Sequence, residues 1–277
     1  MSPPPTPDLR GVIAKLDRAE EHLGALDASI KDVLYGEGDP IVEEFDLEKQ
    51  WYIARFRIGS EIPERRWGIL LGDAVQNLRA ALDHLVYQLA ILSGNNPARS
   101  RTQWPIVSSY DDYWKGSGGG RPRRDIDLEG VNEEFRKLID DFQPCSRGPR
   151  EEFMENASVA FKFLGDLSNT DKHRIMNASV LRPRNGTTWP DPPGSPVEVR
   201  WPKAGPKLLQ DGTELYRWRV NDPAYPRLPV EVQLESYITF EIAFGRRAVP
   251  HTVIGTLNAI TRGTVQFFSA FFPAGSF

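Results

Sequence analysis

Two short stretches concentrate the side chains able to do chemistry. Asp73, Gln76, Asn77, Arg79, Asp83, His84, Tyr87 and Gln88 lie within residues 66–92, RWGILLGDAVQNLRAALDHLVYQLAIL, and Asp171, Lys172, His173 and Arg174 stand together in LSNTDKHRIM. The first stretch contains neither Lys nor Glu, so its polar side chains are not the Lys–Glu mixture of a merely solvated face. Amides, carboxylates, one Arg and one His build either a hydrogen-bonded network or a reaction site. Arg79 and Asp83 have the spacing to pair across one helical turn. Asp73 and Asn77 fall close to His84 on a helical wheel, where either could fix the imidazole tautomer. A cation stabilises developing charge on a phosphate, and an imidazole titrating near neutrality carries a proton. The same residues could equally form a network that docks this segment to another. A site should be concave and reachable by solvent, whereas a network should be closed with its polar atoms paired.

The elements that must position these residues follow from periodicity. Leu71, Ala74, Val75, Leu78, Ala81, Leu82, Leu85, Val86, Leu89 and Leu92 recur at three- and four-residue intervals, so residues 64–93 are expected to form a long central helix with one buried face. Residues 8–35 show the same spacing and end at Gly36, whereas 40–62 change period and read as two strands joined around 47–49. Gly94, Asn95, Asn96 and Pro97 stop the central helix. The Gly-rich run SSYDDYWKGSGGGRPRR reads as a mobile loop, with Arg121, Arg123 and Arg124 offering the alternative of a basic flap that touches phosphate. Helical spacing resumes at 130–142 and 151–167. Ser168, Asn169 and Thr170 then read as stop or cap residues, placing Asp171 to Arg174 at the start of a new element. Residues 182–196 read as a Pro-rich surface loop. Strand-like runs follow at 197–201, at 208–220 around Asp211-Gly212, and at 230–244, before a closing helix over 249–272.

The fold expected is α+β, a helical core around the central helix with an N-terminal hairpin and a C-terminal antiparallel β region closed by a final helix, the two β regions sharing one sheet. Residues 1–7 are expected to be a disordered Pro-rich tail and 8–277 one intertwined domain, with a possible subdivision into 8–182 and 183–277. A net charge of −4 argues against a whole-surface nucleic-acid binder but leaves room for a local basic patch. The single cysteine, Cys145, precludes an internal disulfide and fits a reducing cytoplasm. MSPPPTPDLR lacks a basic start and an apolar run, so no secretory signal is expected. No uncharged apolar run approaches the ~20 residues of a membrane helix, so no membrane partner is expected. GSGGG lacks the ending of a phosphate loop, and no Gly-x-Ser-x-Gly elbow is present.

The run RAALDH, with Arg79 and His84 separated by four residues on a helix, resembles the motif of HEPN domains, helical proteins that often act as metal-independent ribonucleases in toxin and defence systems. That resemblance implies an Arg79 that stabilises the phosphorane and a His84 that moves a proton while an RNA 2′-hydroxyl attacks its own phosphate. It also implies two subunits whose motifs face one another. The family Arg is usually followed by a polar residue, where this chain has Ala80, and the family fold is wholly helical. The wider pattern NLRxALDH with a downstream DKHR resembles a group of uncharacterised bacterial proteins, largely actinobacterial. The expected site is therefore Arg79, His84, Asp83 and Asn77 as catalytic groups, with Lys172, His173, Arg174, Asp171 and Asp73 binding substrate. RNA is the expected partner, the chain a homodimer, and no cofactor or metal is required. The alternatives are a non-enzymatic binding or assembly protein whose two clusters form a structural network, and a metal-dependent hydrolase using Asp73, His84, Asp171 and His173.

Overall fold

The apolar stripe of residues 66–92 becomes helix α2 (Glu64–Leu92) of the computed structural model, with Leu71, Ala74, Val75, Leu78, Leu82, Leu85, Val86 and Leu89 fully buried. The structure describes residues 5–36, 38–96, 102–173, 177–183, 188–191, 197–201, 210–221, 231–234, 238–244, 247–250 and 252–276. Of the tail expected over 1–7, residues 1–4 lie outside these, as does His251. The fold is α+β, with a long central helix, an N-terminal hairpin, C-terminal antiparallel strands and a final helix.

The chain divides into two compact units. The first takes residues 1–25, 69–176 and 252–277. It holds the first part of α1 (Arg10–Tyr35), most of α2, the short helices α3 (Tyr110–Trp114) and α4 (Arg123–Asp127), then α5 (Glu133–Asp141), α6 (Glu152–His173) and α7 (Thr252–Ser269). Asn132 caps α5 by accepting from the Phe135 amide at 2.9 Å. At the centre of this unit, Trp104 meets Phe142, Phe161 and Phe268 edge-on at 5.5 to 5.9 Å between ring centroids. Such edge-to-face contacts add to the area the rings bury.

The second unit takes residues 26–68 and 177–251. The expected hairpin is β1 (Ile41–Asp46) and β2 (Trp51–Phe56). Its strand β2 pairs antiparallel with β6 (Glu214–Val220), which pairs with β5 (Val197–Arg200), giving the order β1-β2-β6-β5. The N-terminal hairpin thus shares a sheet with β5 and β6, but not with the other C-terminal strands. Tyr52 lies opposite Trp218 with rings stacked at 4.1 Å, a cross-strand aromatic pair that pins the register. On the other face, Arg200 and Arg219 sit 4.8 and 4.7 Å from the Trp51 ring centroid. Strands β3 (Asn177–Pro183), β8 (Ile238–Phe244) and β9 (Arg247–Pro250) form a second sheet, and β4 (Thr188–Asp191) pairs with β7 (Glu231–Leu234).

Three local expectations are corrected. The Gly-rich stretch expected to be a loop contains α3, a 3-10 turn at Ser117–Gly119 and α4. What orders it is Arg124, 8% exposed, which donates to Asp140 at 2.9 Å and to Glu133 at 2.7 Å while lying 5.0 Å from the Trp114 ring centroid. Tyr113 donates to the same Asp140 at 2.7 Å. Second, α6 runs through Ser168, Asn169 and Thr170 rather than stopping there. The Thr170 hydroxyl donates to the Asp166 carbonyl at 3.0 Å, so this residue bonds the preceding turn instead of capping. Third, the region expected to be a loop over 182–196 contains the end of β3 and all of β4. Thr188 and Trp189 favour strand, and Pro190 is tolerated because a two-stranded sheet has only edges.

Candidate functional site

The polar arc of α2 divides into two stripes, each taken up by a different neighbour. At about 100° per residue, Gln76, Arg79 and Asp83 fall on one stripe and Asp73, Asn77, His84 and Gln88 on the next. The first stripe faces residues 103–106 and α6. Arg79 donates to the Trp104 carbonyl at 2.6 Å, and Asp83 accepts from the Trp104 amide at 2.9 Å. The two side chains also pair with one another at 3.1 Å. Together they satisfy both main-chain groups of a fully buried tryptophan, which has no ladder to join. One turn earlier, Gln76 donates to the Ser168 carbonyl at 3.2 Å and to the Asp171 carboxylate at 3.1 Å. A Cβ on Gly72 would overlap the Asp171 carboxylate, so the glycine is what lets that acid lie against α2.

The second stripe is looser. Asp73 is exposed, and Asn77 donates to the Asp73 main-chain carbonyl at 2.8 Å rather than to the imidazole. Gln88 accepts the Asp8 amide at 2.8 Å, and a Cβ on Gly11 would lie 3.8 Å from the His84 Nδ1. His84 is exposed, and no described residue hydrogen-bonds it. Among the described residues, the two clusters expected to meet do so through Asp171, which reaches Gly72 and Gln76. The side chains of Lys172 and His173, and the whole of Arg174, lie outside the described residues. Arg79 and His84, five residues apart, are separated by about 140° around the helix and serve different neighbours.

Beside the first stripe lies a cavity of 270 Å³ lined by Arg79, Gln103, Ile106, Arg123, Gly165, Ser168 and Asn169. Arg123 is oriented by Asp127, whose Oδ2 accepts its Nε at 3.1 Å and its Nη2 at 2.9 Å. Asp127 is only 1% exposed and also accepts from the Gln103 side chain at 2.9 Å. Among these lining residues the sequence pointed to Arg79 and, through the RPRR cluster, to Arg123 as functional groups, and to Ser168 and Asn169 only as stop or cap residues. Gln103 carries no periodic or motif signal. Among the described residues no group of three His, Cys, Asp or Glu is placed to hold a metal ion, and no helix is long and apolar enough to cross a membrane. Cys145 is buried, and burial pushes its thiol up to about 11, which suppresses the thiolate a nucleophile needs.

Comparison with protein-family models, with curated proteins and with solved structures finds no match to this chain.

Proposed function

We propose that this chain is a non-enzymatic binding or assembly protein in which the NLRxALDH and DKHR segments act first as a polar network. The observation that carries the reading is the shared grip of Arg79 and Asp83 on the Trp104 main chain. Both side chains hold a buried segment, and His84 stands apart from them on the neighbouring stripe beside Gly11. A general base must come within hydrogen-bonding reach of the group it deprotonates, together with the cation that stabilises the charge.

The second reading is HEPN-like, metal-independent RNA cleavage. It is favoured by the exposure of His84 and by the cavity at Arg79. In this geometry, the partner for each side chain would come from a second copy of the chain.

One assay separates the two: incubation of a mixed RNA pool with EDTA, using wild type, Arg79→Ala and His84→Ala, alongside thermal melts. The expected result is no cleavage by any of the three. Arg79→Ala should lose about 2 kcal/mol, because it leaves the buried Trp104 carbonyl without its donor. His84→Ala should stay within about 0.5 kcal/mol, as exposed substitutions do. RNA cleavage that survives EDTA and vanishes in both folded variants would replace the binding reading with the nuclease.

A further inference from the structure

We propose that the cavity walled by α2, α4, α6 and residues 103–106 binds a phosphomonoester, with Arg79 and Arg123 as its cations and Asn169 at its rim. The proposal rests on reading the chain as a binding protein and names what it binds. Three features point to this class of ligand. The first is the state of the guanidinium groups. Arg79 spends Nη2 on the Trp104 carbonyl and Asp83, and Arg123 spends Nε and Nη2 on Asp127. Among the described residues the remaining donors, Nε and Nη1 of Arg79 and Nη1 of Arg123, have no acceptor. Each guanidinium is therefore held in place by an acid while keeping N–H groups to offer. Such fixing removes the rotamer entropy a ligand would otherwise have to overcome.

The second feature is direction. The two cations come from different helices and line one cavity, so a ligand that meets both needs several acceptor oxygens. A carboxylate is planar and is matched by a single guanidinium fork, whereas a terminal phosphate has three oxygens in a tetrahedral array and carries close to two charges. Gln103 and Asn169 add uncharged polar groups, and Ile106 against Gly165 gives an apolar floor that a Cβ at 165 would meet at 3.0 Å. The third feature is size. At 270 Å³ the cavity is at the small end of ligand pockets, enough for a phosphate and a compact attached group. Asp83 and Asp127 offset the two positive charges, so recognition comes from directed donors at short range rather than from a long-range field.

That chemistry has two sources, a free phosphorylated small molecule or the 5′-phosphate at the end of an RNA strand. Calorimetric titration of the full chain with ribose 5-phosphate, with ribose, and with a short oligoribonucleotide bearing either a 5′-phosphate or a 5′-hydroxyl tests the proposal and separates the sources. Arg123→Gln removes one cation. Asn169→Asp places a negative charge at the exposed rim without disturbing the Arg123–Asp127 pair. Ribose 5-phosphate should bind where ribose does not, with affinity at least tenfold weaker in both variants. Binding confined to the 5′-phosphorylated oligonucleotide, with the same sensitivity to both variants, supports the site and assigns it to RNA ends. No binding of any phosphomonoester overturns the proposal, as does binding that neither variant alters. EDTA-resistant RNA cleavage would overturn the binding-protein reading and leave the phosphate site to be judged by these titrations alone.

Discussion

Gly72 shows how little of a side chain the α2–α6 contact can accept. The Asp171 carboxylate occupies the space a Cβ would need and is held there by Gln76 at 3.1 Å. Gly72→Ala should therefore displace Asp171 and break that hydrogen bond, at a cost of about 1–3 kcal/mol despite alanine's better helix propensity. Urea unfolding of Gly72→Ala, Asp171→Ala and the double variant checks this. The double variant should be more stable than the sum of the single changes predicts, since the clash is gone once Asp171 is short. Strict additivity would show that the contact does not constrain the helix. The Arg79–Asp83 pair is a different kind of constraint. Its two charges are 15% and 31% exposed, and their value lies in supplying a donor and an acceptor to one buried residue rather than in their mutual attraction.

At the scale of elements, the first unit is organised by rings. Phe268 on α7 is fully buried and touches Trp104 and Phe142 at 5.9 and 5.8 Å. Phe142 in turn meets Phe161 of α6 at 6.4 Å. Phe268→Ala should cost about 3–5 kcal/mol, since a large cavity opens where several elements converge and cannot all collapse together. Phe268→Leu, which keeps most of the volume, should cost less than half of that. Denaturant midpoints measure both, and equal losses would mean that the ring itself, rather than its volume, carries the contact. The same cluster explains why residues 103–106 follow no regular period. Trp104 is fixed by ring packing and by α2 side chains, so its main chain needs no partner from a ladder.

For the whole molecule, the buried acids predict a response to alkaline pH. Burial raises the Tyr113 phenol well above its ordinary range, with Asp140 adding to the effect, and pushes the Cys145 thiol up to about 11. A group whose folded pKa lies above its unfolded value gives stability that is complete below the unfolded pKa and is lost as pH rises towards the folded one. For Cys145 that window runs from roughly 8.5, the unfolded thiol value, to about 11. The melting temperature should therefore fall from about pH 8.5 upward, with Tyr113 adding to the loss above about pH 10. In Cys145→Ala the fall should begin later. A melting temperature unchanged between pH 8 and 11 would show that neither group is protected by the fold.

Much of this was legible in the chain itself. Helix α2 and its buried stripe, the first hairpin, the α+β class and the partition of polar residues onto one arc all follow from local periodicity, because burial imposes a repeat of 3.6 or 2 on the residues that face the core. The pairing of Arg79 with Asp83 follows from their spacing alone. Tertiary structure decided what that arc touches. Two adjacent stripes on one helix meet different neighbours, so Arg79 goes to Trp104 while His84 stands by Gly11, a separation that proximity in sequence conceals. It also decided the fate of the Gly-rich stretch, where Asp140, distant in sequence, draws Arg124 into the interior. Gln103, Arg123, Ser168 and Asn169 share one cavity only because α2, α4 and α6 fold around residues 103–106. Periodicity records which side of an element is buried, and long-range packing alone determines which other element buries it.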